Sequence, residues 1–421
     1  MSANNILYAQ SGGVTPVINA TAAAVIETAR EHSGSFGRVL AAEDGIIGAL
    51  EERIFDTSVL DDADLRQLAR TPGGVFGSCR YKLKSMEENR REYERLMQVL
   101  DRHQVGTFFY NGGNDSADTV HKIAEMAAEV GYPLNAIGIP KTIDNDLAVT
   151  DNCPGFGSVA KYVAVSILEA SLDVMSMSSS STRVFILEVM GRHAGWIAAA
   201  GGLARREPHD PPQVILFPEV AFDRERFLAA VDDSVRRHGY CSVVVSEGAR
   251  YADGSFLADS GTTDAFGHKQ LGGVAPVVAD LVKSELGHKY HWAVSDYLQR
   301  SARHIASATD VEQARAVGRS AIELALEGRS GVMPVIERIS DDPYEWRIGV
   351  APLEDIANHE KTLPKEFITA DGFGITDAAR RYLEPLIRGE DYPEYDRHGM
   401  PKYLRPELPR LPRKLEEFTP S

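Results

Sequence analysis

Cysteine is scarce in this chain. Cys79, Cys153 and Cys241 are far apart and form no CxxC pair, which excludes a disulfide framework and a thiolate zinc site and suits a reducing cytoplasm. Long apolar runs are also missing: nothing approaches the ~18 residues of a membrane span. Met1–Gln10 lacks the basic and apolar regions of a signal peptide. Basic residues are outnumbered, with Lys+Arg 45 against Asp+Glu 61 and a net charge of −16. Nucleic acid and anionic membranes would repel such a chain, so neither is an expected partner. No GxGxxG with a following ribose-binding acid occurs, which speaks against a dinucleotide-binding dehydrogenase.

What is present is alternation. Short, continuously apolar runs, Asn5–Gln10, Val105–Tyr110, Asn135–Ile139, Arg183–Val189, Gln213–Phe217, Cys241–Ser246 and Gly331–Ile336, read as buried parallel strands. Between them, Pro16–Glu31, Asp115–Val130 and Phe222–Arg237 repeat apolar residues at helical spacing. The pattern predicts an α/β fold whose active site lies at the carboxyl ends of the strands. It continues past Gln213, consistent with a second lobe of similar build. The expected division is a first lobe over 1–150, a second over 151–385, with exchange of segments between the two allowed, and an extension over 386–421. That extension holds six of the 21 prolines (Pro393, Pro401, Pro406, Pro409, Pro412, Pro420), so it should form an arm or strap with little regular structure.

Four segments carry chemistry. Ser11-Gly12-Gly13 follows the first strand and precedes a helix, where bare amides can face an anion, although a tight turn would look the same. Thr71–Arg80 is glycine-rich and runs into Arg80, Lys82 and Lys84, which suits a polyphosphate or a solvated basic face. Gly112-Gly113-Asn114-Asp115-Ser116 places an acid at a helix start, as a helix cap also would. Pro140-Lys141-Thr142-Ile143-Asp144-Asn145-Asp146 sets two carboxylates beside a lysine straight after a strand. Such charge is costly to bury unless it serves a purpose. There Asp144 could accept a hydroxyl proton and Lys141 could hold a phosphoryl oxygen.

In this order, and followed by Met190-Gly191-Arg192, Pro218-Glu219-Val220, Ser246-Glu247-Gly248 and Tyr297-Leu298-Gln299-Arg300, these segments resemble the 6-phosphofructokinase family over roughly residues 5 to 340. The resemblance implies two similar lobes with mostly parallel sheets flanked by helices and a cleft between them. It also implies phosphoryl transfer to the 1-hydroxyl of fructose 6-phosphate with Mg²⁺. It makes Asp144 the catalytic base, within the sugar-phosphate-binding Thr142, Ile143 and Asp144. Met190, Gly191, Arg192 and Glu247 would hold the sugar, and Tyr297, Leu298, Gln299 and Arg300 the 6-phosphate end. Gly12, Gly13, Arg80 and Lys141 would hold the donor. Arg183 falls where the family offers an arginine to a neighbouring subunit, so a homo-oligomer is expected, a dimer first.

Three positions depart from the family pattern. Asn114 stands where Asp is usual, so the implied metal set of Asn114 and Asp115 has one neutral ligand. More of the coordination then falls on Asp115, on phosphate oxygens and on water. Tyr297 stands where many members carry His, and His291 where many carry an Arg from the neighbouring subunit, so His288, Lys289 or Tyr290 could share the phosphate. In relatives that use ATP, Gly occupies the places held here by Asp115 and Lys141. The double replacement points to pyrophosphate as donor: Asp115 would repel a nucleotide's α-phosphate while Lys141 adds a charge beside the transferred group. The competing readings are an ATP-dependent enzyme and a non-catalytic regulatory subunit of the same fold.

Overall fold

The computed structural model describes residues 4–263, 269–271 and 273–420. Thirteen strands are described: β1 Asn4–Gln10, β2 Phe36–Ala42, β3 Ile54–Asp56, β4 Val105–Gly112, β5 Asn135–Pro140, β6 Val184–Val189, β7 Val214–Leu216, β8 Cys241–Ser246, β9 Asp259–Thr263, β10 Lys269–Leu271, β11 Tyr290–Val294, β12 Val332–Asp341 and β13 Tyr344–Pro352. Two sheets organise the molecule. The larger has the order β13-β12-β5-β4-β1-β2-β3 and the smaller β11-β6-β8-β7, with β9 and β10 forming a separate pair. Pairing is parallel throughout the smaller sheet and across the five central strands of the larger one, while β3 and β13 run antiparallel at its edges.

The continuously apolar runs are central because both of their faces are covered. Ile6, Leu7, Tyr8 and Ala9 are all buried, and they divide between two core clusters on opposite faces of the large sheet. Helix Ile18–Glu31 covers one face and Asn114–Glu129 the other. Val120, Ile123 and Ala127 point inward as expected, whereas Val130 is left exposed at the helix end. Helix Arg224–His238 buries Phe227, Val231 and Val235 on the smaller sheet.

The sheets do not respect a cut at residue 150. After the smaller sheet is complete the chain returns, and β12 pairs with β5 while β13 closes the edge. Strand pairing needs only proximity, so a distant segment can add to an open edge. Beyond Ile387 the described residues form no helix or strand. The extension lies along its own first lobe: Leu404 and Leu408 pack on one face of the large sheet, and Leu411, Leu415 and Phe418 on the other. Buried Glu52 fastens its end by accepting the backbone amides of Lys414 at 2.6 Å and Leu415 at 3.1 Å.

Candidate active site

The registers bring the motifs together. On the large sheet Gln10 lies beside Asn111 and Gly112 beside Pro140, so the turns after β1, β4 and β5 leave side by side. On the smaller sheet Val189 lies beside Ser246 and Glu188 beside Val294, aligning the turns after β6, β8 and β11 in the same way. The two rows of carboxyl ends line one cleft of about 750 Å³. Gly12, Gly13, Arg80, Asn114, Asp115, Lys141, Thr142, Ile143, Asp144, Met190, Arg192, Glu247, Tyr297 and Arg300 all line it.

At the carboxyl ends of the large sheet the backbone is drawn tight. Gly12 has φ 71, a left-handed conformation that other residues adopt only with strain, and its amide donates to Cys79 O at 2.9 Å. Lys141 crosses beneath this turn and donates to Gly13 O at 2.7 Å. A methyl at Gly13 would stand 3.0 Å from Arg300 Nη1 and 3.6 Å from Arg80 Nη2. Three cations therefore converge on two bare glycines, an arrangement that matches a polyanion. Asp115 faces the same cleft, where its carboxylate accepts from Lys82 Nζ at 2.7 Å.

At the carboxyl ends of the smaller sheet Gly191 has φ 126 and lets the Met190–Arg192 turn double back. Ser246 Oγ donates to Gly191 O at 2.6 Å, and the Gly191 amide donates to Glu247 Oε1 at 3.3 Å. Gln299 does not line the cleft; it is buried and accepts the Met190 amide at 3.4 Å, tying this turn to helix Asp296–Ser301. The Arg300 guanidinium stacks 4.1 Å from the Tyr297 ring centre.

The electrostatics are set by loss of water. Burial holds the Asp144 carboxyl well above its ordinary range, helped by neighbouring Asp146 and Glu247 and opposed by Lys141 and Arg192. Burial lowers Lys141 to about 7, with Arg300 adding repulsion and Asp144 and Asp146 opposing. Burial likewise raises Asp146, with Glu360 contributing. The Asp144 amide donates to Thr142 Oγ1 at 3.1 Å, which orients the tripeptide.

Some expected positions lie elsewhere. Arg183 is exposed at the amino end of β6, outside this chain's cleft, with Nε 3.3 Å from Ser178 O. Leu298 is exposed and does not line the cleft. His288, Lys289 and Tyr290 belong to the amino end of β11, where their partners are Asp232, Ser181 and Asp280. They do not line the cleft of their own chain. Asn114 lines the cleft, and its side chain is also engaged with backbone: its amide oxygen accepts from the Asn358 amide at 2.5 Å and its NH₂ donates to His359 O at 2.6 Å, which leaves that oxygen one lone pair.

Glu360, Glu188, His193, Asp296 and Tyr81 also line the cleft but escaped the motif reading. Glu360 reaches His193 Nδ1 at 3.1 Å. Its place follows from a long-range pairing with Leu147 that no sequence spacing signals.

Comparison with known proteins decides the family. The phosphofructokinase family pattern matches residues 5–325. The chain belongs to the phosphofructokinase family. A phosphofructokinase relative from Methylococcus capsulatus, named pyrophosphate--fructose 6-phosphate 1-phosphotransferase, is 62% identical over 415 residues, covering 99% of each chain. One of the same name from Halomonas elongata is 59% identical over 418 residues, covering 99% of this chain and 100% of its own. Among solved phosphofructokinase structures, the pyrophosphate-dependent enzyme of Nitrosospira multiformis superposes with a TM-score of 0.92 at 59% identity, covering 99% of this chain and 100% of its own.

Proposed function

We propose that the protein transfers a phosphoryl group from pyrophosphate to the 1-hydroxyl of fructose 6-phosphate, giving fructose 1,6-bisphosphate and phosphate, and that it works in both directions. The observation that carries this reading is the meeting of Lys141, Arg80 and Arg300 around Gly12 and Gly13, next to Asp144. The cations hold the two substrates' phosphates with the reacting groups in line. Asp144, poised near neutrality, takes the proton of the 1-hydroxyl as that oxygen bonds to phosphorus and the bridging P–O bond breaks. Lys141 balances charge on the transferred and leaving groups, the main demand of phosphoryl transfer. A sugar phosphate in the acceptor half is held by Arg192, Glu247, Tyr297 and Arg300. Asp144, Arg192 and Glu247 all line the cleft, so a regulatory subunit is the poorer reading.

Mg²⁺ fits the residues present. Among the described residues no three His, Cys, Asp or Glu form a cage for a metal, as is usual where one or two carboxylates share Mg²⁺ with substrate phosphates. Asp115 and Asp146 line the cleft, and Asp146 Oδ1 is buried and without a hydrogen-bond partner; these two would hold the ion. When bound, Mg²⁺ neutralises oxygens of pyrophosphate.

We further propose a cytoplasmic homodimer. β11 is an edge strand, and Trp292 on it is exposed. An apolar open edge of this kind favours a partner, and a second copy could supply Arg183. The deciding experiment measures turnover of the purified chain with pyrophosphate and with ATP at saturating Mg²⁺. Turnover with pyrophosphate alone supports the reading, and equal turnover with ATP replaces it by the ATP-dependent one.

A further inference from the structure

The extension touches the rest of the chain at one point that belongs to both halves of the cleft. Asp391 Oδ1 accepts from Arg70 Nε at 3.1 Å and Nη2 at 3.0 Å. Its other oxygen, Oδ2, accepts from Arg303 Nη2, and its carbonyl oxygen accepts from Arg303 Nη1 at 2.5 Å. Arg303 is fully buried, and its Nη2 also reaches Ala69 O at 3.4 Å. One carboxylate thus uses both oxygens on two arginines from separate parts of the chain.

Each arginine is the stem of a substrate-facing element. Arg70 immediately precedes Thr71, where the glycine-rich loop leading to Arg80 begins, and the extension grips that start again through the Leu404 amide, 2.8 Å from Thr71 Oγ1. Arg303 opens the short turn that follows helix Asp296–Ser301, which carries Tyr297 and Arg300. The two elements run from the Asp391 node and come together at Gly13, where Arg80 and Arg300 both lie within reach of a single added methyl.

We infer that Asp391 is a positioning residue: by clamping Arg70 and Arg303 to each other it sets the spacing of Arg80 and Arg300, and so the fit of both substrates. This rests on the proposed assignment of Arg80 to the donor and Arg300 to the acceptor. The physical need is plain. Two guanidinium groups brought close repel one another, and Arg300 is further penalised by burial and by Arg80. Their register therefore depends on how the elements that carry them are held. A buried guanidinium at Arg303 in turn requires a carboxylate, since an unpaired buried charge is strongly destabilising.

The test is steady-state kinetics with both substrates varied, together with thermal melting. Asp391→Asn should raise KM for pyrophosphate and for fructose 6-phosphate together, by about tenfold, with kcat changed less than about threefold, the split that marks lost binding geometry rather than lost chemistry. Asp391→Glu, which keeps the charge, should recover part of both. Arg70→Gln leaves the Arg303 pair intact and should raise KM for pyrophosphate alone. It decides the matter if Asp391→Asn does not fold. Leu411→Ala, which loosens the extension at its apolar end, should lower the melting temperature and leave both KM values unchanged. Wild-type KM values in Asp391→Asn, or in Arg70→Gln where the first variant does not fold, overturn the inference provided that Arg80→Ala and Arg300→Ala raise theirs. Unchanged KM values in Arg80→Ala and Arg300→Ala overturn the substrate assignment itself.

Discussion

The side-chain amide of Asn114 holds the backbone of His359, donating to its carbonyl at 2.6 Å while accepting from the neighbouring Asn358 amide. Asn358 sits at φ 63, a conformation asparagine tolerates better than most residues, and donates to Asp118 Oδ1 at 3.2 Å. The link pins the segment that carries Glu360 into the cleft. A carboxylate at position 114 would keep the acceptor and lose the donor, facing the His359 carbonyl with a like partial charge. Asn114→Asp should therefore cost about 1 kcal/mol or more of stability, read by urea unfolding. Asn114→Ala should leave the Mg²⁺ concentration for half-maximal activity within about threefold. A large shift in the metal titration of Asn114→Ala would make Asn114 a ligand.

Asp144→Asn should lower kcat by about 10²- to 10⁴-fold with little change in KM for fructose 6-phosphate. Near-normal kcat would remove Asp144 from the role of base. The same variant has a pH signature. The folded chain keeps the Asp144 proton to about pH 7, whereas an unfolded Asp releases it near 4. The folded state thus binds more protons in that window, and this group's contribution to stability falls as pH rises through it. Asparagine does not titrate, so the variant should gain stability relative to the parent between about pH 4 and 7 and hold that gain above it. Melting curves at intervals of pH measure the difference, and a gap that shrinks with rising pH contradicts the assignment.

The proposed donor choice rests on Asp115 and Lys141. Asp115→Gly removes the carboxylate from the helix start and should admit measurable ATP turnover. Lys141→Met should cut pyrophosphate turnover by about 10² or more, as loss of one preorganised charge does. Parallel assays with the two donors check both, and an Asp115→Gly enzyme still blind to ATP would place the discrimination elsewhere.

The oligomer carries its own test. Sedimentation should give a dimer mass at assay concentrations. An inactive Arg183→Ala chain mixed with an inactive Asp144→Asn chain should recover part of the activity if Arg183 serves the neighbouring site. A fully active monomer rules the arrangement out.

The α/β class, the cleft at strand ends and most of the residues lining it were legible in the sequence, because a turn that follows a buried parallel strand emerges at a fixed end of its sheet. Lys141 and Asp144 need only β5 to be a strand in order to reach the cleft, and the run Asn135–Ile139 already says so. Glu360, the fate of Asn114 and the clamp at Asp391 were not legible. Each depends on a late segment returning to an early one: Glu360 beside Leu147, His359 on Asn114, Asp391 between Arg70 and Arg303. Local sequence sets the conformation of a turn. Which distant turn lies against it is decided by how two finished lobes pack, and only the tertiary structure contains that choice.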